Sequence, residues 1–276
     1  TSTVSIWGAG LYADVQVADF DLDGREELVA RQIATGRWFD LASSSTSIQT
    51  TLLGTWQPGA HYDLVRAGDF NGDGRTDLVG LEAGTGIWRS LLSNANGSYS
   101  TTSLARPAFG YVATNIGVGD LNADGRLDVF SQDAGTENWQ IISVSGGALQ
   151  PSRFNSWTAY GTSWRDSQVI NFDGTGDNDL LARDAATGDW WLTTFVGTID
   201  TTTKEANWSP AATWQNWQTI DFDGNGSVDV LARNAATGDW HLLRTVNGVV
   251  TSTVIANWSA ATNWVDFQVA DLFGNG

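Results

Sequence analysis

The stretch "DFNGDGRTD", residues 69–77, puts Asp69, Asn71, Asp73 and Asp77 at positions 1, 3, 5 and 9, with Gly74 at position 6. Oxygen-bearing side chains this close repel one another unless a cation lies among them. The spacing is that of the first nine positions of a Ca²⁺ loop, where glycine at position 6 permits the sharp turn.

The pattern is not isolated. It recurs as "DFDLDGREE" from Asp19, "DLNADGRLD" from Asp120, "NFDGTGDND" from Asn171 and "DFDGNGSVD" from Asp221, with a clipped copy, "DLFGNG", from Asp271. Successive starts lie 50, 51, 51, 50 and 50 residues apart. Nineteen positions after each of the first five starts stands a tryptophan: Trp38, Trp88, Trp139, Trp190 and Trp240. Two motifs in one fixed phase define a repeat architecture.

A helix–loop–helix reading of these loops fails. It needs a bidentate Glu at position 12, where this chain has Ala30, Gly80, Ser131, Ala182 and Ala232. The flanks, such as "VQVADF" and "ELVARQ", are short, apolar and rich in valine, so each loop joins two strands. One unit reads as strand A, "DLVRAGDF"; strand B, "DLVGLE"; strand C, "IWRSLLS"; and strand D, "YSTTSLAR". Four strands in about 50 residues predict an all-β fold, a β-propeller of four-stranded blades with a Ca²⁺ loop between strands A and B. The expected arrangement is one propeller domain over 1–276, with repeats near 12–61, 62–112, 113–163, 164–213 and 214–263. Partial strands at 1–11 and 264–276 flank these five repeats.

The spacing D-x-[DN]-x-[DN]-G-x-x-[DE] before an apolar strand resembles the VCBS/FG-GAP repeat family. That family includes the heads of integrin α chains, a fungal lectin with Ca²⁺-bearing blades, and many bacterial surface proteins. The resemblance implies a propeller, one Ca²⁺ per intact loop, and an extracellular binding or adhesive role. The GAP part of the signature is replaced here by "LVARQ", "LVGLE" and "LLARD".

Copy by copy, the predicted metal ligands are Asp19, Asp21, Asp23 and Glu27; Asp69, Asn71, Asp73 and Asp77; and Asp120, Asn122, Asp124 and Asp128. The fourth and fifth sets are Asn171, Asp173, Thr175 and Asp179, then Asp221, Asp223, Asn225 and Asp229. Position 7 offers only a carbonyl, so Arg25, Arg75, Arg126, Asp177 and Ser227 vary freely there. Phe273 interrupts the sixth copy, where no Ca²⁺ is expected. The loops thus use 15 of the 31 acidic residues, and five Ca²⁺ would bring the net charge from −17 to −7. These ions are read as structural, because no loop holds a spare nucleophile or base.

Strand parity places the A–B metal loops on one face. The B–C turns ("ATGDW") and the D–A segments "NWSPAATWQNW" (207–217) and "NWSAATNW" (257–264) lie on the other. Flat aromatic rings with side-chain donors suit sugar recognition, so a ligand is sought on that second face. The tryptophan 19 positions after each loop start reads as packing between blades. The series Tyr12, Tyr62, Ala113, Trp164, Trp214, Trp264 occupies one repeat position and fits either packing or a surface groove. Trp191 and Trp217 are not shared by all copies. With Trp164, Trp214, Trp264, Arg183 and Arg233 they form the candidate ligand set, ion pairing or exposure being the competing reading for the arginines.

With 31 acidic against 14 basic residues, a nucleic-acid partner is disfavoured. No apolar run reaches the roughly 20 residues that cross a bilayer, so no membrane insertion is expected. There is no cysteine, hence no disulfide and no thiolate metal site. The sequons at Asn96, Asn207 and Asn257 carry weight only in a glycosylating host. His61 and His241 lie outside any catalytic motif, and the chain does not read as an enzyme. The resulting expectation is a secreted or cell-surface, Ca²⁺-stabilised module that recognises carbohydrate. The alternative is a structural or adhesive unit that self-associates head to tail through its terminal strands. A five-bladed ring, a larger ring and head-to-tail assembly all fit the ends, where residues 1–24 resemble 251–276.

Overall fold

The computed structural model describes residues 11–43, 48–104, 113–135, 138–153, 157–161, 163–196, 199–262 and 264. Their strands form five four-stranded sheets, each an up-and-down meander in chain order. Blade 1 comprises β1 (Tyr12–Ala18), β2 (Glu27–Gln32), β3 (Arg37–Ser43) and β4 (Ile48–Thr55). Blade 2 comprises β5 (Tyr62–Gly68), β6 (Asp77–Glu82), β7 (Ile87–Ser93) and β8 (Tyr99–Leu104). Blade 3 comprises β9 (Ala113–Gly119), β10 (Asp128–Asp133), β11 (Trp139–Ser145) and β12 (Ala148–Arg153). Blade 4 comprises β13 (Trp164–Ile170), β14 (Asp179–Asp184), β15 (Asp189–Val196) and β16 (Ile199–Asn207). Blade 5 comprises β17 (Trp214–Ile220), β18 (Asp229–Asn234), β19 (Asp239–Val246) and β20 (Val249–Asn257).

The predicted strands B and C of the second repeat coincide with β6 and β7. Continuous burial along "DLVGLE" explains why that strand shows no alternation: it is central in its sheet and covered on both faces. The expected broken sixth loop, and the partial strands apart from Leu11 and Trp264, fall outside the described residues. No described helix is long and apolar enough to cross a membrane.

The chain divides into two compact units, Thr1–Thr114 with Gly125–Phe154, and Asn115–Asp124 with Asn155–Gly276. In the first, Phe20, Val29, Trp38, Trp56, Val65, Leu78 and Leu91 form one buried cluster. In the second, the equivalent cluster contains Phe172, Leu181, Trp190, Trp208, Val230 and Leu243. The same repeat positions therefore build both cores.

The strand-C tryptophans are the packing residues the repeat suggested: Trp38, Trp88, Trp139 and Trp190 are fully buried. Each of Trp38 and Trp190 meets the edge of a second tryptophan from the D–A segment, Trp56 at 5.0 Å and Trp208 at 5.3 Å. Those second tryptophans pin neighbouring blades. Trp56 donates its indole N–H to the Ser90 carbonyl in β7, and Trp208 donates to the Ser252 hydroxyl in β20.

The D–A backbone also rests on the B–C turn. Trp56 N–H bonds to Gly36 O, and Trp208 N–H to Gly188 O. A Cβ added at Gly188 would lie 2.0 Å from the Trp208 carbonyl oxygen, so glycine is required there. This contact fixes the D–A segments beside the B–C turns, as strand parity predicts.

A bulge interrupts strand A at the register breaks between Ala13 and Gln16, Arg165 and Gln168, and Gln215 and Gln218. Asp14, Asp166 and Asn216 sit in these bulges with φ of 57°, 56° and 58°. Asp and Asn tolerate the left-handed region better than most side chains, which accounts for their recurrence five residues before a metal loop.

Candidate metal loops and a ligand cleft

Each loop shapes itself with its own acids. The position-1 side chain accepts backbone N–H groups from positions 4 and 6: Gly72 and Gly74 donate to Asp69, and Gly224 and Gly226 to Asp221. The position-6 glycines Gly24, Gly74, Gly125, Gly176 and Gly226 all have positive φ. The position-9 acid accepts the N–H of position 2, as Phe20 does to Glu27, Phe70 to Asp77, Phe172 to Asp179 and Phe222 to Asp229.

In loop 1 one oxygen from each of Asp19, Asp21, Asp23 and Glu27 lies within 4.8 Å of the others. Asp221, Asp223 and Asp229 converge likewise in loop 5. In loop 2 the Ser93 hydroxyl lies within hydrogen-bond distance of both Asp73 (3.0 Å) and Asp77 (2.8 Å), its one proton shared between them. Loop 4 orders Asn171 on the N–H groups of Gly174 and Gly176, and Asp173 on Thr175. In loop 3, Asp124 N–H bonds to Asp120 at 3.1 Å and to Asn122 at 3.0 Å.

At position 7 the backbone N–H bonds to the position-5 side chain, while the position-7 side chain goes elsewhere. Arg25 N–H bonds to Asp23 and Arg75 N–H to Asp73, and the Arg126 guanidinium reaches Val144 O at 3.4 Å. The Ser227 hydroxyl bonds to Asn225, and Asp177 lies near Asp179. Asp223 is ion-paired with Arg244 at 3.0 Å.

Burying acids beside acids raises their proton affinity. Burial pushes Asp77 up to about 6. Asp179 is pushed up to about 7 by burial and by Asp173, and Asp229 to about 6 by burial, then by Asp223 and Asp221. Glu27 is raised for the same reasons, with Asp21 and Asp19 nearby. Asp40 in β3 is pushed up to about 6 by its burial, then by Glu27 and Asp21. Hard oxygen donors that converge, and carboxylates that need a countercharge, fit a hard divalent cation. Loops 1 and 5 are therefore acidic clusters able to hold a metal ion.

Sequence reasoning missed Asp40 and Ser93, because both come from strand C and only the fold brings them under a loop. It also missed that loops are chained together. The position-1 carbonyl accepts a hydrogen bond from position 8 of the following loop: Thr76 to Asp19, Leu127 to Asp69, Asn178 to Asp120 and Val228 to Asn171.

On the opposite end of blade 5, about 20 Å along the seven-residue β17, lies a cleft of about 370 Å³. Gln215, Asn216, Arg233, Thr262 and Trp264 line it. Trp264 is 40% exposed, and its indole N–H is held by Ser259 O at 3.0 Å. The structure thus brings Arg233 and Trp264 together.

The other candidate ligand residues are placed differently. Trp164 is buried against Trp157, their rings 4.4 Å apart. Trp214 packs on Trp208 at 4.7 Å, and Trp217 stacks with Trp208 at 5.9 Å. Trp191 lies on Tyr160 at 4.6 Å. Arg183 is buried, ion-paired to Asp166 at 2.8 Å, with its guanidinium over Trp217.

Residues 19–80 and 69–131 match the family model of the FG-GAP-like repeat, so this part of the chain carries such repeats. No curated protein matches the sequence. Among solved structures, the chain is similar to an Agrocybe aegerita lectin described as recognising non-reducing terminal N-acetylglucosamine. The TM-score is 0.65 at 15% identity, over 91% of this chain and 67% of that one. It is also similar to a Lactobacillus plantarum protein, with a TM-score of 0.53 at 15% identity over 91% and 73% of the respective chains. At these identities the likeness concerns the fold.

Proposed function

We propose that this FG-GAP-repeat β-propeller is an extracellular, calcium-stabilised binding module for carbohydrate, without catalytic activity. The convergence of Asp19, Asp21, Asp23 and Glu27 within 4.8 Å carries the calcium part. The five loops, each with its own oxygen donors, would take one Ca²⁺ each, and extracellular modules of this kind bind at roughly 10⁻⁴ to 10⁻³ M. Such affinities call for the millimolar calcium found outside cells.

The carbohydrate part rests on the blade-5 cleft. It joins an exposed indole, Trp264, to an arginine, two amides and a hydroxyl. An aromatic face takes the apolar side of a sugar ring, and the polar groups meet its hydroxyls. The fold's occurrence in a lectin is in keeping with this reading. His241 packs between Trp208 and Trp214.

A glycan array read together with intrinsic tryptophan fluorescence tests the proposal. Sugar-dependent quenching that disappears in Trp264→Ala is the expected result. No response to any glycan, with filaments forming as concentration rises, would instead favour a structural unit assembling head to tail.

A further inference from the structure

One pair of positions varies between blades in a way the metal loops do not explain. The pair consists of the strand-A residue five positions before the loop start and the strand-B residue twelve positions after it. Blade 1 has Asp14 with Arg31, and blade 4 has Asp166 with Arg183. In blade 2 both members are leucine, Leu64 opposite Leu81. Blade 3 has Asn115 and Gln132, a neutral combination. Each of these combinations is balanced: ion pair, two apolar side chains, or two amides.

Blade 5 has Asn216 with Arg233, a cation without its acid. The backbone has not changed, since φ is 58° at Asn216 against 57° at Asp14 and 56° at Asp166. In blade 1 the guanidinium meets Asp14 through Nε at 2.7 Å and Nη2 at 2.6 Å. In blade 4 the corresponding distances to Asp166 are 2.9 and 2.8 Å. Arg233 is only 2% exposed, yet among the described residues its Nε has no hydrogen-bond partner, and neither has Asn216 Oδ1. Its Nη2 donates to the carbonyls of Trp258 and Ser259, both at 3.0 Å. Carbonyls satisfy donors but do not neutralise the charge, and a buried, uncompensated charge is costly.

Arg233 and Asn216 both line the blade-5 cleft, whose described lining contains no carboxylate. We propose that this cleft receives a carboxylate from its ligand, which supplies the countercharge that Asp14 and Asp166 supply within blades 1 and 4. Resting on the carbohydrate reading above, the ligand class is an acidic saccharide of the uronic-acid type. Its carboxylate is held by Arg233 and its ring lies against Trp264. Guanidinium–carboxylate pairing is the charge-assisted interaction best suited to this geometry.

Calorimetric titration with methyl β-glucuronide, methyl β-glucoside and sodium acetate, at fixed millimolar calcium, tests the assignment. The native chain should prefer the glucuronide over the glucoside by on the order of ten- to a hundredfold, and added salt should erode the preference. Asn216→Asp restores the acid of blades 1 and 4, so it should raise the melting temperature while abolishing that preference. Equal affinity for the two glycosides, or an unchanged preference in Asn216→Asp, would overturn the carboxylate site and leave the carbohydrate reading standing. Acetate stabilising the native chain but not Asn216→Asp, with neither glycoside bound, would keep the carboxylate site and remove the sugar. No binding of any of the three would overturn both.

Discussion

Trp208 donates its indole N–H to the Ser252 hydroxyl at 2.8 Å, tying the segment after blade 4 to the last strand of blade 5. The same ring packs on Trp190, Trp214 and Trp217. One residue thus joins the cores of two sheets. Trp208→Ala should destabilise the protein by about 3–5 kcal/mol, the cost of emptying a large buried site. Trp208→Phe should cost less, because the ring stays and the hydrogen bond goes. Urea denaturation at fixed calcium measures both, and equal losses would show that packing is not the main contribution.

Calcium should set much of the stability. A site with a dissociation constant tenfold below the free calcium concentration contributes about 1.4 kcal/mol, so five such sites would contribute about 7 kcal/mol. Chelation should lower the melting temperature sharply, and Asp73→Ala should remove one bound ion of five by mass spectrometry. A melting curve indifferent to chelator would defeat the structural role.

Protons should compete for the same sites. Asp77, Asp179 and Asp229 have folded-state pKa values raised to about 6, 7 and 6. A raised acid pKa means that the metal-free fold gains stability as pH falls through 7 to 6, as these groups become neutral. The calcium-bound fold behaves in the opposite sense and loses its ions over that window. Calcium affinity should drop about tenfold between pH 7.5 and 5.5, where ordinary carboxylates would scarcely change. Titrations with a calcium electrode at the two pH values decide this.

His241 gives a separate pH response. Burial between Trp214 and Trp208 holds its pKa below the usual 6.5, against the upward pull of Asp239. The fold therefore binds this proton less tightly than the unfolded chain, and stability present above pH 6.5 is lost as pH falls below it. An NMR titration midpoint under 6.5 is expected, and a midpoint above it would contradict the packing. His241→Gln should blunt the acid sensitivity that remains with calcium held saturating.

Gly188→Ala should destabilise by about 2–4 kcal/mol, combining a positive φ with a clash against the Trp208 carbonyl. The matched change Gly84→Ala meets no atom within 4 Å and carries only the φ cost. Thermal denaturation of the two variants separates backbone strain from steric contact.

What the sequence determined on its own is the repeat: loop spacing, strand number and the central strands of the second blade. Those features depend on residues a few positions apart, since a turn and its flanking strands are encoded locally. The faces also followed, because parity alone separates A–B loops from B–C turns. The tertiary structure decided which side chains are free. Trp164 and Trp264 share one repeat position, yet the first is 2% exposed and the second 40%. Arg183 and Arg233 likewise look alike in the sequence, and differ because residues seventeen positions earlier, Asp166 and Asn216, fold against them across a bulge. Burial and charge balance are set by neighbours that only packing assembles, whereas hydrogen-bonded turns are set by the chain's own next few residues.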